Sequence, residues 1–433
     1  MLNEQSLYWI WLARACGVAS RSFVRIIERF VEPFDVYSLD ENEIEHIEGI
    51  GESLKTKLCD KTLEQSYAVL SFCKKNKISI ISYGDKKYPS RLRQLEDPPI
   101  VLFCKGKLPD FNSRLSLAVV GTRKMSEYGK ASAYKIAYEM ASANAIVVSG
   151  MALGIDGVAA GGAIASGGDT VAVLGCGIDV VYPKQHKELY EKIAKTGAVI
   201  TEFMPSTAPE KYNFPVRNRI ISGLCQGTLV IEGDRKSGAL ITAKNAIAQG
   251  REVFALPGKV DESNSEGPNE LIRDGAYVAL CSDDIINHYD FLYHDVINYR
   301  GLKKAKTREN SELDEELLDE LGICARSYKK DEFVQVDAEK ESFKAAEEKK
   351  ELPKPDSNSN AAAPAKETAS EEMLAGLDEN ARRIFAEMPI DTSVSPDALI
   401  VDGCDIGDVV TALTMLELCG LVTSLPGGLY VRK

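Results

Sequence analysis

Between about residue 113 and residue 285, short apolar, β-rich runs recur at intervals that leave room for a helix between each pair. This alternation restricts the possible folds more than any other feature. The runs read "LAVV" from 117, "AIVVS" from 145, "TVAVL" from 170, "AVIT" from 198, "TLVI" from 228, "EVFAL" from 252 and "YVAL" from 277. Strands that are apolar without interruption have to be covered on both faces, and crossovers of helix length make successive strands parallel. Residues 113–300 are therefore expected to form an α/β domain with a doubly wound, Rossmann-like sheet.

The flanks differ in texture. Residues 1–75 alternate apolar and charged positions at helical spacing and are expected to form a small helical domain of the SAM or helix-hairpin-helix kind. Within it, "EGIGESLKTKL" at 48–58 sets Gly49 and Gly51 around one apolar residue ahead of a helix. That suits either backbone amides approaching a phosphate or a plain turn between packed helices. Residues 76–112 read as a connecting segment packed on the central domain. Residues 301–372 are rich in Lys and Glu and end in "KPDSNSNAAAPAKETASEE", too poor in large apolar residues to offset the entropy of ordering. They are expected to be a charged, largely disordered linker, with solvated helix in the first half where Leu313, Leu317, Leu318 and Leu321 recur at helical spacing. Residues 373–433 regain periodicity as three helices and a hairpin, which predicts a winged helix-turn-helix module. Its third helix offers Asp405, Asp408 and Glu417 and no Lys or Arg, so a protein-contact or structural role is favoured over reading DNA.

Composition bounds the setting. Ten cysteines lie scattered without a CxxC pair, and the four histidines build no zinc set, which suits reduced thiols in a cytoplasm. Residues 7–19, "LYWIWLARACGVA", resemble a signal segment, but Arg14 interrupts them and Glu4 precedes them; a buried helix is expected. No stretch has the roughly 20 apolar residues of a membrane span.

In a doubly wound sheet, ligands sit outside the carboxyl ends of the strands, and the turns there carry the candidate site. "VVGTRKMSEYG" places Gly121, Thr122 and Arg123 straight after a strand, with Ser126 as a helix cap. It lacks GxGxxG, and Arg123 supplies a cation where a phosphate would arrive. "SGMALGID" offers Ser149 and Gly150. "EKYNFPVRNRIISGL" concentrates Lys211, Arg217 and Arg219 around Phe214, with Asn218 between the arginines, although the chain carries a formal net charge of −13. Cations follow a phosphodiester backbone and an aromatic face stacks on a base, a combination suited to a single strand. The alternative is that Phe214 is core and the arginines pair with acids such as Glu202. Ser237 and Gly238 open another helix, and Gly267 leads into a further one; small residues there expose amides to an anion. No Ser-His-Asp set, P-loop lysine motif or paired-carboxylate spacing stands out, so no catalytic residue, cofactor or metal site is assigned.

Taken in order, "VVGTRKMSEYG", "SGMALGID", "YPKQH", "EFMPSTAPEKYNFPVRNRIISGL", "KSGALITAKNAIAQGREVFALPG" and "SEGPNELIRDGA" resemble the bacterial DNA-processing protein DprA (Smf) family. The resemblance implies a cytoplasmic protein that binds single-stranded DNA, protects it and loads the recombinase RecA in natural transformation, acting as a homodimer, without cofactor or enzymatic activity. It implies that Arg123, Lys211, Phe214, Arg217 and Arg219 line the strand-binding pocket, with Ser237, Gly238 and Gly267 adding backbone contacts. Three or four neutralised phosphates would give a salt slope of about −2 to −3 for single strands. There are two departures from the family pattern: Ala160 and Gly161 stand where it commonly has His, and His186 where it has Asn. The rival reading is a nucleotide-processing enzyme of the similarly folded phosphoribohydrolase type. Its PGGxGT-type loop is matched only by "LPGG" at 425–428. A third reading is an adaptor acting through the winged helix alone.

Overall fold

The computed structural model describes residues 4–307 and 313–323 and, beyond 383, residues 384–386, 388, 394, 399, 409, 412, 413, 416, 422–425 and 429–432. The chain divides into two compact units, Met1–Val334 and Gln335–Lys433.

The first unit opens with helices α1 (Glu4–Cys16), α2 (Arg21–Arg29), α3 (Pro33–Ser38), α4 (Glu41–Glu45), α5 (Glu52–Cys59) and α6 (Glu64–Lys75). The apolar stretch around Arg14 is indeed a buried helix: Leu7, Trp9, Ile10, Trp11 and Leu12 of α1 are all sealed, against α3, α5 and α6. The Trp11 indole N–H donates to the Asp60 carbonyl at 2.9 Å, so its polar tip is satisfied as its ring is buried. In the α4–α5 turn, Gly49 has a φ of 77°, which a side-chain-bearing residue would adopt only under strain, and Gly51 N-caps α5.

The sheet has strands β1 (Ser79–Ser82), β2 (Val101–Gly106), β3 (Ser116–Val120), β4 (Ile146–Ser149), β5 (Thr170–Val173), β6 (Ala198–Thr201), β7 (Gly227–Val230), β8 (Glu252–Ala255) and β9 (Tyr277–Val278). Their order is β1-β2-β6-β5-β4-β3-β7-β8-β9. From β6 to β9 all pairings are parallel, and β1 and β2 add an antiparallel edge. The segment 76–112 is thus part of the sheet itself. After these two edge strands the chain enters the parallel part in the middle at β3, works outward through β4, β5 and β6, then returns to lay β7, β8 and β9 on the other side. The switch point falls between β3 and β7.

The helices alternate with these strands: α7 (Glu127–Ser142), α8 (Ile155–Ala165), α9 (Lys187–Thr196), α10 (Asn213–Leu224), α11 (Gly238–Ala248), α12 (Ser263–Arg273) and α13 (Ser282–Tyr293). Successive strand residues face opposite layers. Leu117 and Val119 join a core with α7, α8 and α9, while Ala118 and Val120 join a second core with α10 and α11. Coverage on both faces is why the strand runs show no polar alternation.

Beyond α13 the expected linker does not begin at once. Helices α14 (Tyr299–Thr307) and α15 (Glu315–Glu320) follow, and they are packed rather than solvated. Leu302, Ala305, Leu318, Leu321 and Ile323 are buried in the α7–α8 core. The Lys130 ammonium of α7, itself buried, donates to both carboxylate oxygens of Glu315 at 2.6 Å. Gly161 of α8 makes room for this segment, since a Cβ there would come within 2.6 Å of the Leu318 Cδ2. Residues 308–312 and 324–372, the rest of the expected linker, lie outside the described residues.

In the second unit, β10 (Val422–Leu425) and β11 (Leu429–Arg432) pair as an antiparallel hairpin. Val422 joins a buried cluster with Ile384, Phe385, Met388, Leu399, Val409, Ala412, Leu413 and Leu416. A wing closing over a small apolar core fits the winged-helix expectation. Asp405, Asp408 and Glu417 lie outside the described residues.

Candidate nucleic-acid interface

Because β6, β5, β4, β3, β7 and β8 run parallel, the turns that follow them share one edge of the sheet. Four of these regions meet at one pocket: Arg123 after β3, Gly150 after β4, Gly175 and Tyr182 after β5, and Phe214 and Arg217 on α10. Its cavity is about 40 Å³, room for about three waters rather than a nucleotide. Groups on the rim can therefore engage a strand, and groups on the floor cannot.

The floor is built around Arg217, which is 5 % exposed. One terminal nitrogen donates to the Gly150 carbonyl at 2.9 Å and to the Val173 carbonyl, and Nε donates to the Asn218 Oδ1 at 3.1 Å. Asp156, also buried, accepts the Gly150 N–H at 2.9 Å. Burial pushes the Asp156 carboxyl up while the Arg217 charge opposes it. The same burial brings the Arg217 guanidinium down to about 10. Arg217 thus joins the ends of β4 and β5 from beneath, and its expected capture of a phosphate gives way to a positioning role.

On the rim, Arg123 is exposed. Phe214 is half-buried, with its ring 5.3 Å from that of Tyr182 at 33°, and the Arg217 guanidinium carbon lies 5.8 Å from the Phe214 centroid. Gly175 is what lets Phe214 come in: a Cβ there would sit 2.8 Å from the ring. Lys211 is exposed on the turn entering α10. The aromatic surface is therefore a two-ring wall, partly open, with Arg123 on the same rim.

Gly121 and Thr122 shape the β3 turn. The Thr122 N–H donates to the Glu232 carbonyl at 2.7 Å, and its carbonyl accepts from Ile155 at 3.2 Å. Asn218 holds Arg217 with its oxygen and reaches the Gly238 carbonyl at 3.4 Å with its amide nitrogen. Ser237 caps α11, accepting from Ala239 at 3.3 Å, and Gly238 is exposed beside it.

Three expected contacts are not available on this surface. Arg219 is 6 % exposed and points away from the pocket, into an ion cluster with Glu202 at 2.7 Å and Asp97 at 3.2 Å. Here the alternative reading, arginine paired with Glu202, describes the geometry. Ser149 is sealed, its hydroxyl donating to the Asp156 carbonyl at 3.1 Å. Gly267 is buried with its amide committed to the Gly233 carbonyl at 2.9 Å; a Cβ there would strike that same carbonyl, so close packing accounts for the glycine.

Tyr182, Asp156 and Glu232, none of them a site candidate from the sequence, also shape this surface. The "YP" dipeptide was a signal for Tyr182, but its approach to Phe214 depends on Gly175. His186, one of the departures, is sealed, with Nδ1 3.0 Å from the Met151 carbonyl, and burial brings it down to about 4. Cys176 on the floor is pushed up to about 12 by burial, which leaves it a poor nucleophile. Among the described residues no cluster of His, Cys, Asp and Glu could hold a metal, and no helix is long and apolar enough to cross a membrane.

Comparison with known proteins adds to this geometry. A family profile described as DNA recombination-mediator protein A matches residues 79–290, and one described as the DprA winged helix domain matches residues 362–428. The DNA processing protein DprA of Bacillus subtilis is 37 % identical over 238 residues, covering 54 % of this chain and 80 % of that protein. Its counterpart in Streptococcus pneumoniae is 40 % identical over 215 residues, covering 50 % and 76 %. The X-ray structure of DNA processing protein A from Streptococcus pneumoniae superposes with a TM-score of 0.58 at 34 % identity, over 65 % of this chain and 97 % of that one.

Proposed function

Because the chain belongs to the DNA recombination-mediator protein A (DprA/Smf) family, we propose that it binds single-stranded DNA in the cytoplasm, protects it and loads a RecA recombinase onto it. The observation that carries this reading is the rim on which an exposed Arg123 stands beside the partly open Phe214–Tyr182 wall. A guanidinium can take a phosphate while an aromatic face takes the adjoining base, worth about 1–3 kcal/mol per stacked base. Duplex bases are already stacked and cannot use that face. Arg217, Asp156 and Asn218 keep the rim in shape from below.

In this reading the chain acts as a binding protein rather than an enzyme, and as a homodimer. Cys176, which lines the pocket, is held as a thiol by burial, and His186 is sealed inside. Fluorescence anisotropy with labelled oligo-dT and a matched duplex tests the central claim. Oligo-dT is expected to bind at least about tenfold more tightly; equal affinities would remove the stacking argument. Release of free base from nucleoside monophosphates would instead favour the phosphoribohydrolase alternative. Faster RecA filament growth on a strand already coated with a single-strand-binding protein would support loading.

A further inference from the structure

The place where a doubly wound sheet ordinarily receives a phosphate is the crevice at its switch point, at the amino end of the first helix. In this chain the switch point lies between β3 and β7, and that helix is α7. Its amino end is already filled by Glu232, two residues beyond β7 and 2 % exposed. One carboxylate oxygen of Glu232 accepts the Ser126 N–H at 2.9 Å and the other accepts the Ser126 hydroxyl. The Ser126 hydroxyl oxygen in turn accepts the Gly129 N–H at 3.1 Å. Gly129 leaves the space that the carboxylate fills: a Cβ there would collide with it. The Glu232 carbonyl, accepting from Thr122, fastens the β7 turn to the β3 turn.

We infer that Glu232 is a resident anion that occupies the sheet's phosphate seat and so excludes pyrophosphate and free nucleotides, leaving only the neighbouring Arg123–Phe214 rim open to a strand. The carboxylate takes both Ser126 donors, and the Ser126 hydroxyl takes the Gly129 amide, groups that an anion at this helix end would otherwise use. Its negative charge repels a second anion. This deepens the single-strand reading and rests on it: a rim selects polymer over mononucleotide only if the closed seat beside it cannot hold the mononucleotide's phosphates.

The test is inorganic pyrophosphate titrated into wild type and Glu232→Ala by calorimetry, with oligo-dT anisotropy on both. Glu232→Ala vacates the seat but keeps the Ser126 donors, and it is expected to bind pyrophosphate at least about tenfold more tightly than wild type. Pyrophosphate should also raise its melting temperature without raising that of wild type. If the variant does not fold by itself, its refolding yield with and without pyrophosphate gives the readout, because a ligand that fills the seat restores the lost partner. Equal pyrophosphate affinity in the two proteins, or refolding indifferent to pyrophosphate, would overturn the inference. A wild type that ignores oligo-dT would sink the single-strand reading while leaving the pyrophosphate result standing on its own.

Discussion

Arg123 and Arg217 touch the same small pocket and differ in what their donors already hold. Arg123 is exposed, so a phosphate can reach it; Arg123→Ala should lower oligo-dT affinity and reduce the log–log salt slope by about 0.7, the share of one phosphate on a single strand. An unchanged slope in anisotropy titrations would take Arg123 off the strand. Arg217 holds two carbonyls and Asn218 above the buried Asp156. Arg217→Ala leaves that carboxylate without its counter-charge and should cost about 3–5 kcal/mol of stability in urea unfolding. The "NFPVRNR" stretch displayed both charges and the ring, but charge type and spacing do not reveal which donors the fold has already taken. For Arg219 one taker, Glu202, is 17 residues away and was open as an alternative, whereas the other, Asp97, lies far off in the chain. His186 shows the same dependence on burial with a pH signature. It is neutral in the folded chain down to about 4, against about 6.5 unfolded. Between those values the unfolded chain binds more protons, so stability falls as pH falls through the window. From pH 7 to pH 5 the wild type should lose about 2 kcal/mol more than His186→Asn, read from denaturant unfolding at both pH values.

At the scale of elements, the parallel strands were legible because each run is apolar along its length and separated by a helix's worth of chain. The antiparallel β1 and β2 were not. "SIIS" is too short to stand out, and "VLFCKG" carries no turn signal that would distinguish an edge strand from a buried connector. The segment at 313–323 was half legible. Its leucines have helical spacing, but six residues of helix surrounded by acids do not hold together in water. What holds α15 is supplied from more than a hundred residues away, by the room left at Gly161 and by the buried Lys130 ammonium facing Glu315. This also gives a physical sense to one departure from the family pattern, since a bulky side chain at Gly161 would occupy the place of Leu318. Leu318→Asp should therefore release residues 313–323 without unfolding the sheet. Hydrogen exchange is expected to show lost protection at the Leu317, Leu318 and Ile323 amides while those of β4 and β5 keep theirs. Loss of protection across the sheet as well would make α15 an integral part of the domain core rather than a docked strap.

At the scale of the whole molecule, a formal charge of −13 has to be reconciled with a polyanionic ligand. The charge is unevenly distributed: residues 335–433 contain 19 Asp and Glu against 10 Lys and Arg, so the larger part of the excess belongs to the second unit. The proposed rim, Arg123, Tyr182 and Phe214, and the exposed Lys211 all lie in the compact unit Met1–Val334. Screening over about 8 Å at physiological salt hides distant acids from a strand at the rim, whereas at low salt the whole charge is felt. A protein ending at Val334 should consequently bind oligo-dT about twofold to fivefold more tightly than the full chain at low ionic strength, because long-range repulsion is relieved. The advantage should shrink to less than about twofold at a few hundred millimolar salt, where the Debye length is only several ångströms. Anisotropy at the two salt concentrations separates this from a direct contribution of the winged helix. A contact made by that domain would instead appear as weaker binding of the shortened protein at both, and a loss of more than about tenfold would move the principal strand contact out of the first unit.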